Sequence, residues 1–325
     1  MKKVSIILPV KNAAEWLQET LDSIAGQTHS NWELISIDDG STDLSLHVLE
    51  QFEERFKEKT IVLQNTSKGI IPALQLALKA SSGEYITRID ADDIMPTDRL
   101  SQMIKGMGET DRLIVTGKVS YFSDGPISEG YLRYQDWINE RIEKKDHFKH
   151  IYRECVIASP NWLARRKDLI DHSIFENLSY PEDYHITFNW YRKNFTIAPI
   201  NITTLQWREH PKRTSRNSEH YQQKAFFKLK INQFINNELK PEDHLGIIGA
   251  NTKTNLITSI LDANNIPYMI YIQGKSNTNL ISIDELRLAR SNKLLIAVYP
   301  DEKLKEIESY LENIGFIIGS NAWYI

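Results

Sequence analysis

Short apolar segments alternate with segments of helical periodicity from the start of the chain, and this alternation constrains the fold more than any other feature. The apolar segments are rich in β-branched residues, as strands buried on both faces of a sheet are. The intervening segments place apolar residues three or four positions apart, as helices packed on a sheet do. The pattern predicts parallel strands joined by helices, with strands at Val4–Leu8, Leu34–Ile37, Ile61–Leu63 and Tyr85–Ile89.

A second stretch of the same alternation follows Pro241, after a less regular and aromatic-rich region over residues 121–216. Its predicted elements are strands at 245–248, 268–272, 294–298 and 316–318, and helices at 254–263 and 302–313. We therefore predict a first α/β domain over 1–217, a connecting amphipathic helix over 218–240, and a small Rossmann-like α/β domain over 241–325.

Composition excludes several classes of protein. The 325 residues are 41% hydrophobic and 25% charged, as in an average globular protein. The net charge of −4 argues against nucleic-acid binding driven by bulk charge. The single Cys155 excludes an internal disulfide and a zinc site of several thiolates. The run Val4–Val10 is interpreted as a strand rather than a signal peptide, because Lys11 and Asn12 interrupt it, and we expect a cytoplasmic protein.

Three polar clusters each follow a predicted strand, where parallel α/β sheets bind their ligands. Any one of them is also ordinary loop chemistry, because Asp, Asn and Gly are common in turns. In the third cluster, however, three carboxylates within four residues repel one another unless a cation or donor satisfies them. Asp90 and Asp92 are suited to one hard cation, Mg²⁺ or Mn²⁺, with open positions for a diphosphate. The clusters are Pro9–Asn12, Asp38–Ser41 and Asp90–Asp93.

These residues resemble family 2 glycosyltransferases. The similarity is carried by Val4–Asn12, Leu21–Ile24 with Gln27-Thr28, Asp38–Asp43 and Gly83–Asp93, followed by Pro96 and Arg99-Leu100. It is strong over residues 1 to about 105 and continues more weakly to about Ser215. The resemblance implies a GT-A fold with a Rossmann-like mixed sheet, a nucleotide-sugar donor that is commonly a UDP-sugar, a divalent cation (Mn²⁺ or Mg²⁺), and an inverting single displacement.

The resemblance also implies roles for individual residues. Asp39 would accept a hydrogen bond from the uracil ring, Asp90 would reach the ribose or the metal, and Asp92 would be the metal ligand. Lys11 stands where family members often carry an aromatic residue. The residues expected to bind the donor nucleotide are Pro9, Val10, Lys11, Asn12, Asp39, Lys68, Gly69, Asp90 and Ala91.

Two further segments carry candidate chemistry. Glu182-Asp183 is either an ordinary acidic helix start or, by the resemblance, the catalytic pair, with Asp183 as the general base that takes the proton of the acceptor hydroxyl. The segment 207–215 is either a solvated basic loop or a diphosphate contact through Arg208 or His210. For Arg208, the alternative interpretation is a structural role.

The region from Arg208 to Lys230 holds seven cations and two acids, a local charge of +5 from 7 − 2. With Phe226 and Phe227 beside this charge, it predicts weak peripheral attachment to an anionic membrane at the inner face. The alternative is that these phenylalanines pack between domains.

The glycine pattern Gly246–Asn251 matches a dinucleotide-binding loop poorly. We therefore expect the C-terminal module to bind neither NAD nor a UDP-sugar, and to mediate homo-oligomerisation or position an acceptor.

The function predicted from the sequence is an inverting, metal-dependent transfer of a sugar from a nucleotide-sugar to a saccharide or lipid-linked acceptor, in surface polysaccharide biosynthesis. One alternative is a sugar nucleotidyltransferase, although the loop Pro9–Asn12 lacks the glycines and arginine that such enzymes carry. Another is a non-catalytic sugar-binding or scaffold protein, which has no need of the carboxylates Asp90, Asp92 and Asp183.

Overall fold

The computed structural model of the chain describes residues 1–274, 280–288, 290–298 and 302–325. The described residues divide into two compact units. The first unit consists of Met1–His147 and Ile157–Arg213, and the second of Phe148–Val156 and Thr214–Ile325. The second unit therefore includes residues 148–156, which the sequence analysis places in the first domain, and residues 218–240, which it treats as a connector.

The elements of the first unit follow the predicted alternation, with an added antiparallel strand. They are β1 (Val4–Val10), α1 (Leu17–Ala25), β2 (Trp32–Asp38), α2 (Ser45–Arg55), β3 (Thr60–Gln64), α3 (Ile70–Ala80), β4 (Tyr85–Arg88), α4 (Arg99–Gly106), β5 (Leu113–Phe122), α5 (Glu129–Lys144), β6 (Leu163–Arg165), α6 (Arg166–Asp171), α7 (Glu182–Arg192) and β7 (Thr196–Arg208). In the described residues of this unit the sheet has seven strands in the order β3-β2-β1-β4-β6-β5-β7. Strand β6 is antiparallel to both of its neighbours, which makes the sheet mixed as predicted.

The register of the central strands brings the polar clusters to one edge of the sheet. Strand β1 lies between β2 and β4 and is parallel to both, with Val10 opposite Asp38 and Ile7 opposite Arg88. The loops that follow Val10, Asp38 and Arg88 therefore leave the sheet on the same side. Because the strands are buried on both faces, this edge is where ligands reach the sheet.

The second unit is a smaller α/β unit, as predicted. Its elements are α8 (Thr214–Asn217), α9 (Gln223–Glu238), β8 (Leu245–Ile248), α10 (Thr252–Ala263), β9 (Tyr268–Ile272), β10 (Ile281–Ser282), β11 (Lys293–Ile296), α11 (Glu302–Asn313) and β12 (Ala322–Tyr324). Over the residues that the structure describes here, five parallel strands lie in the order β10-β9-β8-β11-β12.

One predicted strand of this unit and one predicted property of a helix are wrong. Residues 316–318 are an irregular segment between two turns, at Gly315 and Gly319 with φ of 92° and 84°, and Ile318 makes only an isolated bridge to Ala322, so the last strand is β12. The helix α9 is not amphipathic. It is enclosed on several sides because residues such as Trp323 pack on it, with ring centroids of Phe234 and Trp323 5.2 Å apart. Its buried residues are Phe227, Leu229, Lys230, Ile231, Gln233 and Phe234.

Within the described ranges, no helix combines the length and the apolar character needed to cross a bilayer.

Candidate active site

The loops after β1, β2 and β3 meet around the carboxylate of Asp39. Its Oδ1 accepts hydrogen bonds from the backbone N–H of Gly69 at 2.7 Å and from the side chain of Asn65 at 2.6 Å. Its Oδ2 lies 3.3 Å from the ammonium of Lys11. The structure thus brings together three of the residues predicted to bind the nucleotide, and leaves one oxygen of Asp39 facing a flexible, exposed lysine.

Local backbone geometry explains why the sequence folds this way. Lys68 and Gly69 have φ of 54° and 97°, so the loop after β3 depends on glycine at the second of these positions. Asn12 also has a positive φ, of 51°, and its Oδ1 accepts the N–H of Thr42 at 2.8 Å. This bond ties the end of β1, with Pro9 and Val10, to the loop that follows Asp39. The three segments 9–12, 38–42 and 68–69 are therefore joined by hydrogen bonds into one surface, which we call the donor loop.

The acidic turn after β4 places two carboxylates at the surface and one in the interior. The side chains of Asp90 and Asp92, on either side of Ala91, are 25% and 24% exposed. Asp93 is fully buried, and its Oδ1 accepts the backbone N–H of Arg208 at 2.9 Å. Burial raises the pKa of Asp90, and raises that of Asp93 well above its usual range. Asp93 is thus part of the core, whereas Asp90 and Asp92 are available to a ligand.

Arg208 and His210 differ in what they contact. The guanidinium of Arg208 is buried, donates from Nε to the backbone oxygen of Asp92 at 2.8 Å, and forms an ion pair with Glu19. It braces the acidic turn, which favours the structural role. The imidazole of His210 stacks on Trp16, with ring centroids 3.7 Å apart, and its Nε2 lies 2.9 Å from Oδ2 of Asp92. The structure therefore places His210, rather than the Arg208 guanidinium, against the carboxylates.

The second acidic pair begins helix α7, on the other side of a buried arginine. Glu182 is 1% exposed, and its Oε1 lies 3.4 Å from Nη1 of Arg88. The Nε of the same arginine donates to Oδ1 of Asp90 at 2.7 Å. Burial, followed by the charge of Glu182, raises the pKa of Asp183 to about 7, and the charge of Arg88 opposes this rise. A carboxylate with that pKa exchanges a proton readily at neutral pH.

A small cavity opens beside Asp183. Among the described residues, the Nε1 of Trp190 and the Oγ of Ser159 are buried there without a hydrogen-bond partner. A buried polar atom without a partner costs free energy, so a ligand that pairs with it is favoured. The cavity is lined by Arg88, Ile157, Ser159, Trp162, Asp183, Ile186, Thr187 and Trp190.

The carboxylates fit a cation that is shared with a substrate. In the part of the chain that the structure describes, no three His, Cys, Asp or Glu side chains form a metal cage by themselves. Asp90 and Asp92 each use one oxygen internally, toward Arg88 and His210, and their other oxygens have no hydrogen-bond partner among the described residues. Mg²⁺ is commonly bound by one or two carboxylates together with substrate phosphates, and this donor set suits that arrangement.

Three residues near the site were not assigned a role from the sequence. Arg88 is a charged residue in an otherwise apolar segment, and a charge in such a position requires a buried partner. This is a signal that the sequence does contain. Tyr180 places its hydroxyl 3.1 Å from where a Cβ at Gly69 would stand, so it closes one side of the donor loop. Trp16 orients His210 by stacking, and nothing in its helical spacing indicates this contact.

Together, the fold and the sequence family define a class of protein: a glycosyltransferase of GT-A type. The sequence profile of Glycosyl transferase family 2 matches residues 5–173, and the chain therefore belongs to this family. An uncharacterized glycosyltransferase of Haemophilus influenzae is 28% identical over 288 residues, which cover 86% of this chain and 84% of the relative. Other relatives are longer, and the matched region makes up 25% of one of them.

Solved structures share the fold. S. aureus TarS in complex with UDP-GlcNAc aligns over 96% of this chain and 80% of its own, with a TM-score of 0.55 and 19% identity. The mannosyltransferase PcManGT from Pyrobaculum calidifontis, in complex with GDP-Man and Mn²⁺, aligns over 81% of this chain and 69% of its own, with a TM-score of 0.51 and 18% identity. The family match favours a glycosyltransferase over the sugar nucleotidyltransferase and the scaffold that the sequence left as alternatives.

Proposed function

We propose that this chain is an inverting glycosyltransferase that moves a sugar from a UDP-sugar to a hydroxyl group of a saccharide or lipid-linked acceptor, in surface polysaccharide biosynthesis. The observation that carries the proposal is the position of two acidic pairs on either side of Arg88. Asp90 and Asp92 follow β4, which pairs with β1, so they lie at the sheet edge that carries the donor loop, whereas Asp183, which follows Glu182, lines a small cavity.

The donor loop suits a nucleoside diphosphate. Oδ2 of Asp39 is the acceptor for the N–H of a uracil ring, since Oδ1 is occupied by Gly69 and Asn65. Pro9 and Val10, at the end of β1, would contact the base, and Lys11, Asn12 and Lys68 would lie beside the nucleotide. Asp90 and Asp92 would hold the cation, with Asp90 also within reach of the ribose. A cation held by these carboxylates would supply positive charge that stabilises the diphosphate leaving group.

Asp183 suits the role of general base. The acceptor oxygen attacks the anomeric carbon from the face opposite the nucleoside diphosphate, so that the new glycosidic bond forms as the old bond to phosphate breaks. The hydroxyl proton passes to the Asp183 carboxylate, and its pKa of about 7 matches a base that works at neutral pH. His210, beside Asp92, stabilises the charge of the leaving diphosphate.

The cavity beside Asp183 is small and suits a single hydroxyl group of the acceptor. Trp190 offers an N–H donor and Ser159 a hydroxyl, and both are buried without partners among the residues the structure describes. A sugar hydroxyl both donates and accepts hydrogen bonds, so it can pair with either atom. The complexes of TarS with UDP-GlcNAc and of PcManGT with GDP-Man and Mn²⁺ support a nucleotide-sugar donor and a divalent cation.

A panel of UDP-, GDP- and dTDP-sugars tests the proposal, with donor hydrolysis measured in Mn²⁺, in Mg²⁺ and in excess EDTA. We expect turnover of a UDP-sugar that requires the cation. Full activity in EDTA contradicts the metal role. Release of pyrophosphate from UTP and a sugar phosphate, without sugar transfer, indicates a nucleotidyltransferase instead.

Attachment to membranes rests on fewer residues than the sequence suggested. Arg208, Phe227 and Lys230 are buried and cannot contact a bilayer in the folded protein. The basic residues that remain exposed in this region are Lys212, Arg216, Lys224 and Lys228. These four support only weak, salt-sensitive attachment, which co-sedimentation with anionic and neutral vesicles at low and high salt tests.

A further inference from the structure

Arg88 is the last residue of β4 and is 3% exposed. A buried guanidinium is costly unless hydrogen-bonded acids surround it, because it has lost its hydration. Its position is therefore determined by the carboxylates that it contacts. Those carboxylates belong to different halves of the site.

The two contacts are unequal. Nε donates to Oδ1 of Asp90 at 2.7 Å, a short charge-assisted hydrogen bond, whereas Nη1 lies 3.4 Å from Oε1 of Glu182, at the long limit of such a bond. Arg88 also lines the cavity that contains Asp183. Of these two contacts, Arg88 thus has the shorter bond to the donor side.

The shape of the guanidinium links these two contacts. Its five N–H groups form a rigid planar fork, so a shift of the Nε end changes the Nη1 end as well. A cation held by Asp90 would compete with Arg88 for the negative charge of that carboxylate. The positive charge of the cation would also repel the guanidinium. Both effects make Glu182 the better partner, and a shorter bond there fixes the first turn of α7, which carries Asp183.

We propose that Arg88 is a positioning residue that couples occupation of the cation and donor site to the order of the acceptor-side acids. The proposal rests on the proposed function and deepens it, because it explains how a donor loaded at one end prepares the base at the other. Such coupling is reciprocal, so a change at Glu182 must alter the affinity for the cation at Asp90.

A double-mutant cycle tests this reciprocity with Mn²⁺ as the probe. Free Mn²⁺ is measured by electron paramagnetic resonance during titration of the full chain, without and with UDP. The proteins are the parent chain, Arg88→Gln, Glu182→Gln and the double variant. Arg141→Gln is the matched control, because Arg141 is also 3% exposed and forms an ion pair, with Asp146 at 2.8 Å, elsewhere in the same unit.

We expect Glu182→Gln to weaken Mn²⁺ binding in the parent chain, since Arg88 then turns fully to Asp90 and competes with the cation. In the Arg88→Gln background the same change should have an effect at least about threefold smaller, the lower end of coupling between residues in contact. Arg88→Gln alone should bind Mn²⁺ at least as tightly as the parent. A residue that only supports the fold has the opposite signature, namely weaker binding.

Equal effects of Glu182→Gln in both backgrounds overturn the proposal, as does a loss of Mn²⁺ affinity in Arg88→Gln that Arg141→Gln reproduces. If Arg88→Gln does not fold by circular dichroism, Arg88→Lys replaces it, because lysine keeps the charge but has no fork to join two acids. In that background the coupling should also fall by at least about threefold. A parent chain that binds no Mn²⁺ contradicts the proposed function itself, whereas binding without coupling contradicts only the role of Arg88.

Discussion

Replacing Asp183 by asparagine tests the assignment of the base and has two consequences of opposite sign. The pKa of Asp183 is raised from 3.8 to about 7, and burial is the largest cause. At about 1.36 kcal/mol per pKa unit, a difference of about 3 units corresponds to at most about 4 kcal/mol between the two protonation states. The folded protein therefore carries an unfavourable charge at Asp183 whenever the base is active.

The first consequence concerns the rate. A base must be ionised, so transfer by the parent chain should fall about tenfold for each pH unit below about 7. Asp183→Asn should lose about 10²- to 10⁴-fold in kcat at pH 8, with nearly unchanged affinity for the donor nucleotide, and its remaining activity should not show this titration. Initial rates over pH 5 to about 9 and titration with UDP measure both quantities.

The second consequence concerns stability. Between pH 3.8 and about 7 the folded protein keeps the proton of Asp183 whereas the unfolded chain has lost it. The free energy of unfolding therefore falls as the pH rises through this window. Asparagine has no charge, so in EDTA and without nucleotide Asp183→Asn should be more stable than the parent at pH 8, by up to about 4 kcal/mol, and equal to it near pH 4. Urea unfolding measures this difference, and a variant that is less stable at pH 8, or that keeps its transfer rate, refutes the reasoning.

Four other outcomes follow from the geometry. Asp92→Asn should abolish cation-dependent turnover and leave the circular dichroism spectrum unchanged, and retained turnover would remove Asp92 from the metal site. Trp190→Phe should raise the acceptor KM by about five- to tenfold with an unchanged donor KM. Trp162→Phe should not raise the acceptor KM, because the N–H of Trp162 already donates to the backbone oxygen of Ser159 at 2.9 Å. Equal effects of the two substitutions would contradict acceptor binding in the cavity. Burial lowers the pKa of Lys230 from 10.5 to about 8. Between these pH values only the unfolded chain binds the proton, so the stability of the parent protein should increase from pH 8 to pH 10.5. In thermal melts, Lys230→Met should remove this increase. NAD titrated into the full chain should produce no binding heat, and micromolar affinity would contradict this expectation.

The structure gives a reason to expect no NAD binding at the start of α10. Asn251 caps α10, and its side chain accepts the backbone N–H groups of Lys253 and Thr254. These are the donors that a diphosphate would need at the start of that helix, and they are already bonded. Because residues 148–156 belong to the second unit, the test uses the full chain rather than a fragment that begins at 241.

Much of the first unit could be predicted from the sequence because its information is local. Strand segments such as Val4–Leu8 are apolar throughout, as strands buried on both faces must be, and each acidic cluster follows a strand directly. The parallel order then brings the clusters to one edge without further information. The strand predicted at 316–318 failed because three apolar residues between glycines are equally compatible with an irregular segment between two turns.

Ion pairs between residues far apart in the sequence could not be predicted, since they depend on how loops return to the sheet. The sequence left Arg208 between a diphosphate contact and a structural role, and its ion pair with Glu19, 189 residues away, favours the second. The same applies to Arg88, which contacts Glu182 across 94 residues. Each arginine is buried against a carboxylate that only the folded chain brings near. In this protein the carboxylates that follow strands, Asp39, Asp90 and Asp92, could therefore be proposed from sequence, whereas the arginines that contact the acids required the structure.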